Sequence, residues 1–210
     1  ITVIHLAADP SFQPVSETEA RETAERYDLT PGFLLFVGTL EPRKNIPGLL
    51  HAYRILRDQN VTAEPLVLVG GKGWLYDEIF ERVDRLALSE QVRFLDRVPD
   101  ADLPGLYTAA KVLALPSFYE GFGLPALEAM SCGTPVVVAD RASLPEVVGD
   151  AGILVDPEDP DGIAGGLARL LSDPALHARM RELGLARAST FSWERVAQET
   201  LGVYREVLSR

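Results

Sequence analysis

Short runs of aliphatic and β-branched residues alternate along the chain with stretches in which apolar positions recur every three or four residues. FLLFVGTL (33 to 40), PLVLVG (65 to 70), VRFLDRV (92 to 98), KVLALPS (111 to 117), PVVVAD (135 to 140) and AGILVD (151 to 156) read as six strands. Most are apolar at nearly every position, the pattern of parallel strands covered on both faces. Ile46, Leu49, Leu50, Tyr53 and Leu56 repeat at helical spacing, as do Leu75, Ile79, Val83 and Leu86, so both segments are predicted to be crossover helices. Regular alternation of strand and helix predicts an α/β protein, a Rossmann-like doubly wound parallel β-sheet of about six strands with helices on both faces. Ligands of such sheets sit outside the carboxyl ends of the strands, which says where to look for chemistry.

The ends of the chain read differently. Residues 1 to 30 hold a short apolar run, a polar loop with Pro10 and Pro14, and a charged helix from about Ser16 to Arg26. After Asp156 the pattern turns helical, with a last stripe of Trp193, Val196, Ala197, Leu201, Tyr204 and Leu208 that is long for one small domain. The expected boundaries are a connector over 1–30, a Rossmann-like ligand-binding domain over 31–190 and a closing helix over 191–210.

Composition narrows the function. Of 210 residues, 47% are apolar, enough for a substantial core, and the net charge of −11 disfavours nucleic acid and anionic membranes as partners. Any anionic ligand therefore needs a local cluster of positive groups. Cys132 is the single cysteine, which excludes an internal disulfide and a thiolate metal cage. No apolar run approaches the roughly 20 residues of a membrane span, and ITVIHLAADP lacks a basic flank followed by an apolar core, so the expected setting is the cytoplasm.

Three strand ends carry candidate chemistry. In GTLEPRKNIPGLL, Gly38 allows a close turn, Arg43 and Lys44 are adjacent, and Asn45 can cap the following helix. Two cations beside a helix N-terminus make an anion site, or else a solvated loop pair. VGGKGW, Val69 to Trp74, matches a dinucleotide fingerprint only in part, because Tyr76 stands where a small residue is needed, and reads as a tight turn. In SFYEGFGLPALEAMSCGTPVVVAD, Glu120 precedes a helix opened by Pro125 and Glu128 lies within its first turns. Both carboxylates can face one cleft from different depths, where each can accept hydrogen bonds from vicinal hydroxyls. The plainer alternative makes Glu128 a helix-dipole partner and Glu120 a turn residue.

These segments resemble a known family. EGFGLPALE is similar to the E-x7-E motif of retaining glycosyltransferases of the family 4 type, glycosyltransferase group 1. GTLEPRKN resembles that family's phosphate loop, LVLVGGKG its second strand, SLPEVVGDAGILVDPEDPDGIA the segment after the donor site and FSWERVA its terminal helix. The resemblance implies one half of a GT-B fold, the nucleotide-sugar-binding half, with the domain that supplies the acceptor site absent and the last helix crossing back toward it. It further implies that Arg43 and Lys44 hold the donor diphosphate, that Glu128 binds the ribose and that Glu120 lies near the transferred sugar. Gly121, Phe122, Gly123 and Leu124 match the backbone that touches sugar and phosphate, with Gly38 at the phosphate loop and Val98 near the base. Asp96 stands where the family often has glycine.

The implied activity is metal-independent, retaining transfer of a hexosyl group from a UDP-, GDP- or ADP-sugar, with Glu120, Arg43 and Lys44 as the catalytic groups and no cofactor beyond the donor. GTLEPRKN leans toward bacterial mannosyl or related transferases. The acceptor, a sugar or glycolipid, would come through the absent domain, with the full-length enzyme peripheral to a membrane and this chain alone inactive. Rival readings are a nucleotide-sugar-binding module without catalysis, a GT-B sugar epimerase, and a metal site at the D-x-D pairs Asp100/Asp102 and Asp159/Asp161, which also suit helix caps. His5, His51 and His177 have no nucleophile at motif spacing, Cys132 and Trp193 read as packing residues, and Pro145 and Glu146 as a helix start.

Overall fold

In the computed structural model, which describes residues 1–209, the six apolar runs form β1 (Leu34–Val37), β2 (Leu66–Val69), β3 (Val92–Leu95), β4 (Val112–Leu115), β5 (Val136–Ala139) and β6 (Ile153–Val155). All pair in parallel, in the spatial order β3-β2-β1-β4-β5-β6. That order is the doubly wound arrangement, and its reversal falls between β1 and β4. The loops leaving those two strands therefore start side by side on the sheet's carboxyl rim.

The helices are α1 (Glu17–Glu25), α2 (Ile46–Asp58), α3 (Asp77–Arg85), α4 (Leu103–Ala109), α5 (Leu124–Ser131), α6 (Leu144–Val148), α7 (Pro160–Ser172), α8 (Pro174–Ala188) and α9 (Trp193–Leu208). Pro47, Pro104, Pro125, Pro145, Pro160 and Pro174 each sit in the first turn of a helix, where the missing N–H has no intrahelical partner to lose. Helix α2 packs on α3 and α7, whereas α4 packs on α1 and α5, and α5 on α6 and α8. The sheet is thus sandwiched between two layers, with β1, β2, β4 and β5 almost wholly buried.

Three segments differ from expectation. Leu75 is exposed at φ 56° in the turn before α3, which starts only at Asp77. The turn is set by the glycines at 70, 71 and 73, which leave the chain free to form a loop before helical periodicity takes over. Residues 17–29, assigned to a connector, contribute Ala20, Ala24 and Leu29 to the same core, and Thr23 of α1 lies where a Cβ on Gly105 of α4 would sit, at 2.5 Å from its Oγ1. Helix α9 forms as expected, yet it has no buried residue, and Trp193, Leu201, Tyr204 and Leu208 face solvent. Among the described residues its periodic stripe is left largely exposed.

Candidate functional site: the carboxyl rim between β1 and β4

Two strand ends build the first part of the site. Beyond β1 the chain turns at Gly38, with φ 152°, and beyond β2 at Gly70, with φ 147°. A Cβ on Gly70 would lie 2.1 Å from the Gly38 carbonyl oxygen, so only glycine permits this approach. The floor of a cleft of about 490 Å³ follows, lined by Gly38, Thr39, Lys72, Arg97, Val98 and Asp100 among others. Gly38 and Val98, both expected at the site, are therefore neighbours across this cleft.

The loop after Gly38 forms a short 3-10 turn over Pro42–Lys44 and reverses at Asn45, whose backbone is left-handed at φ 52°. Asn45 holds this conformation from both sides: its Oδ1 accepts from Gly48 N at 3.3 Å and its Nδ2 donates to Pro157 O at 2.6 Å. The reversal carries Lys44 inward, leaving its side chain 6% exposed while Arg43 stays 45% exposed. The loop after β4 meets it there, with Phe118 N donating to Arg43 O at 2.8 Å.

Glu120 is the centre of this junction. Its Oε1 accepts from Lys44 Nζ at 2.6 Å and from Ser117 Oγ at 2.8 Å, and its Oε2 accepts from an Arg43 guanidinium nitrogen at 3.2 Å. Ser143 Oγ donates to the Glu120 carbonyl at 2.9 Å. Arg43 also donates to Tyr119 O at 3.0 Å and pairs with Glu41 at 2.5 Å. The expected trio of Arg43, Lys44 and Glu120 is thus brought together, Lys44 and Glu120 from 76 positions apart in sequence, by two loops that leave adjacent strands. Buried charges of this kind persist only when paired and hydrogen-bonded, as these are.

Glycines continue the loop to α5. Gly121 is exposed, Phe122 is half-buried, and Gly123, at φ 96°, would push a Cβ to 2.6 Å from Leu144 Cδ2. Leu124 opens α5, and Glu128 follows one turn later, half-buried. Glu128 lines a second cleft of about 500 Å³ with Asp9, Ser11, Phe12, Asp100, Ala101 and Leu103. Asp100 and Leu103 border both clefts, so the two adjoin, with Gly38 and Val98 lining one and Glu128 the other. Burial raises the Glu128 pKa, opposed by a hydrogen bond from Tyr107 Oη at 2.8 Å and assisted by the negative Asp100 nearby.

Tyr107, Ser117 and Ser143 were not among the expected site residues. Ser117 has a signal, since it ends a strand three residues before Glu120. Tyr107 and Ser143 have none in local spacing, because their partners come from other elements. Of the D-x-D pairs, Asp102 is engaged by Arg26 at 2.6 Å and Tyr27 at 2.5 Å, which explains its presence structurally. Among the described residues no cluster of three or more His, Cys, Asp or Glu side chains has a metal-binding arrangement, and no helix is long and apolar enough to cross a membrane.

The fold is Rossmann-like, and the comparisons with known proteins place it in a family. Residues 18–187 match the family described as glycosyl transferases group 1, and the chain belongs to that family. It is 45% identical over 206 residues to O-antigen chain mannosyltransferase B of Escherichia coli, covering 98% of this chain and 54% of the relative. Its fold matches sucrose-phosphate synthase from Thermosynechococcus elongatus at 30% identity with a TM-score of 0.86, over 99% of this chain and 53% of that one. It also matches Anabaena Alr3699/HepE, solved in complex with UDP and glucose, at 25% identity with a TM-score of 0.85, over 97% and 56% of the two chains. The chain thus spans about half the length of these relatives.

Proposed function

We propose that this chain is the nucleotide-sugar-binding half of a retaining, metal-independent hexosyltransferase whose transferred sugar is mannose. The observation that carries the reading is the junction of Arg43, Lys44 and Glu120, with Lys44 against Gly38 of one cleft and Glu128 lining the cleft next to it. A nucleoside diphosphate sugar laid along the two clefts has its base near Val98 and its ribose near Glu128. Its diphosphate lies against Arg43, Gly38 and the start of α5, and its sugar beside Glu120 and the 121–124 backbone. The mannosyl assignment draws on the 45% identity to a mannosyltransferase.

The chemistry follows from where charge develops. As the bond from the sugar's anomeric carbon to the diphosphate breaks, negative charge gathers on the leaving phosphate, where Arg43, Lys44 and the α5 N-terminus stabilise it electrostatically. The acceptor hydroxyl adds to the same face of the anomeric carbon, and its proton passes to an oxygen of the departing diphosphate. Retention of configuration results. Glu120, already engaged by three donors, orients the sugar and keeps Lys44 in place rather than forming a covalent intermediate. The acceptor, a sugar or glycolipid, is bound by the other half of the enzyme, which works in the cytoplasm at the membrane surface.

Calorimetric titration of this chain with GDP-, UDP- and ADP-sugars tests the reading. One of them binds, EDTA leaves the affinity unchanged, and Arg43→Ala weakens it by about ten- to a hundredfold through loss of charge-assisted hydrogen bonds. Equal affinity for native and variant chains would remove Arg43 from the diphosphate site.

A further inference from the structure

One of the two clefts is lined by Glu128, a carboxylate whose side-chain hydrogen-bond partner is a buried phenol. Tyr107 is fully buried in α4, its ring edge-on to Phe12 at 5.9 Å and its carbonyl accepting from Thr134 Oγ1 at 2.6 Å. These contacts fix the ring, and the ring directs its hydroxyl at Glu128 Oε2 at 2.8 Å. A buried phenol needs a partner, and a backbone carbonyl would serve it as well as a carboxylate does. Here the partner is a side chain that also lines an open cleft.

The surroundings of Glu128 are otherwise hostile to its charge. Asp100 approaches from the turn before α4, the Cys132 thiol lies one turn on along α5, and Asp9 and Ser11 border the same cleft from the N-terminal segment. None of these is a cation. Burial and Asp100 favour the neutral acid, and the Tyr107 hydroxyl is the group that favours the carboxylate.

We propose that Tyr107 is a positioning residue for nucleotide recognition: its hydroxyl pins Oε2 of Glu128 and leaves the other oxygen for a ligand's vicinal hydroxyls. This rests on the reading of Glu128 as the ribose-binding carboxylate. The consequence is selectivity as well as affinity, because only ligands that present hydroxyls to Glu128 benefit from its charge.

Two measurements on this chain separate the proposal from the reading beneath it. Carboxyl-carbon NMR follows the titration of Glu128 without ligand: Tyr107→Phe moves it to higher pH. Site-specific 3-fluorotyrosine at 107, a stronger donor of the same shape, moves it to lower pH and remains informative should the phenylalanine variant fold poorly. In calorimetry at pH 7, Tyr107→Phe weakens GDP about tenfold and leaves 2′,3′-dideoxy-GDP unchanged, narrowing their ratio. A Glu128 titration that neither variant moves overturns the proposal, as does an equal loss for both nucleotides, the mark of a merely structural tyrosine. If the native chain binds both nucleotides equally while the titrations move as expected, the ribose reading and the selectivity drawn from it fall, and the hold of Tyr107 on the Glu128 charge stands.

Discussion

Glu120 and Glu128 stand eight positions apart, at either end of one glycine-rich entrance to α5, yet they live in opposite surroundings. Glu120 is buried among three donors, two of them cationic, and its backbone carbonyl is held as well. Glu128 has one hydrogen-bond donor, a phenol, and a negative neighbour in Asp100. The first is the centre of a buried ion cluster. The second is a site of tension, with burial pressing it toward the neutral acid. One motif therefore supplies a rigid fixture and a titratable one, and substitutions at the two should behave as different classes of mutation.

The largest effect belongs to the rigid end. Lys44→Met removes the partner nearest to Glu120 and strands a buried carboxylate with only Ser117 and the half-exposed Arg43. Breaking a buried pair from one side costs about 3 to 5 kcal/mol, read as a lower midpoint in urea at unchanged slope. Lys44→Met combined with Glu120→Leu should recover a large part of that loss, because no unpaired charge then remains. A single variant as stable as the native chain would mean that Glu120 already has its charge compensated by Arg43, and the contrast between the two carboxylates would weaken.

Next comes Ser117→Ala. It deletes one donor to Glu120 Oε1 in a fully buried site while both cations stay in place. A hydrogen bond to a charged group contributes about 1.5 to 3 kcal/mol, so the loss is smaller than at Lys44 but measurable by thermal melting. No loss would show that Lys44 alone satisfies that oxygen.

Much of this is legible in the sequence, and the boundary of legibility has physical causes. The six strands stand out because a parallel strand covered on both sides must be apolar at nearly every position, as LVLV at 66–69 is. Arg43, Lys44 and Glu120 are recognisable from their loops, because a strand end followed by glycine and a helix start is a local pattern. Their mutual contact is not local, since it depends on β1 and β4 being neighbours. Tyr107 escapes for the same reason: nothing within LPGLYTA points to a carboxylate 21 residues away. The α9 stripe shows the converse, a correct periodicity that buries none of its residues. Asn45, read as a helix cap, does cap α2, but its left-handed backbone and its bond to Pro157 emerge only from the packing of α7 against α2.

The smallest effect tests the titratable end. Glu128→Gln keeps an oxygen for the Tyr107 hydroxyl to bond and removes the charge that burial disfavours. In the native chain the carboxyl's folded pKa lies above its ordinary 4.5, so the folded state retains a proton that the unfolded state has already lost. Stability therefore declines as pH rises from about 4.5 through the folded pKa, and levels off beyond it. The glutamine variant lacks that decline. Melting temperatures of the two chains followed from pH 4 to pH 8 should diverge upward for the variant, by an amount small beside the Lys44 loss. Curves that stay parallel across the range would show that the fold accommodates the charge of Glu128 without strain.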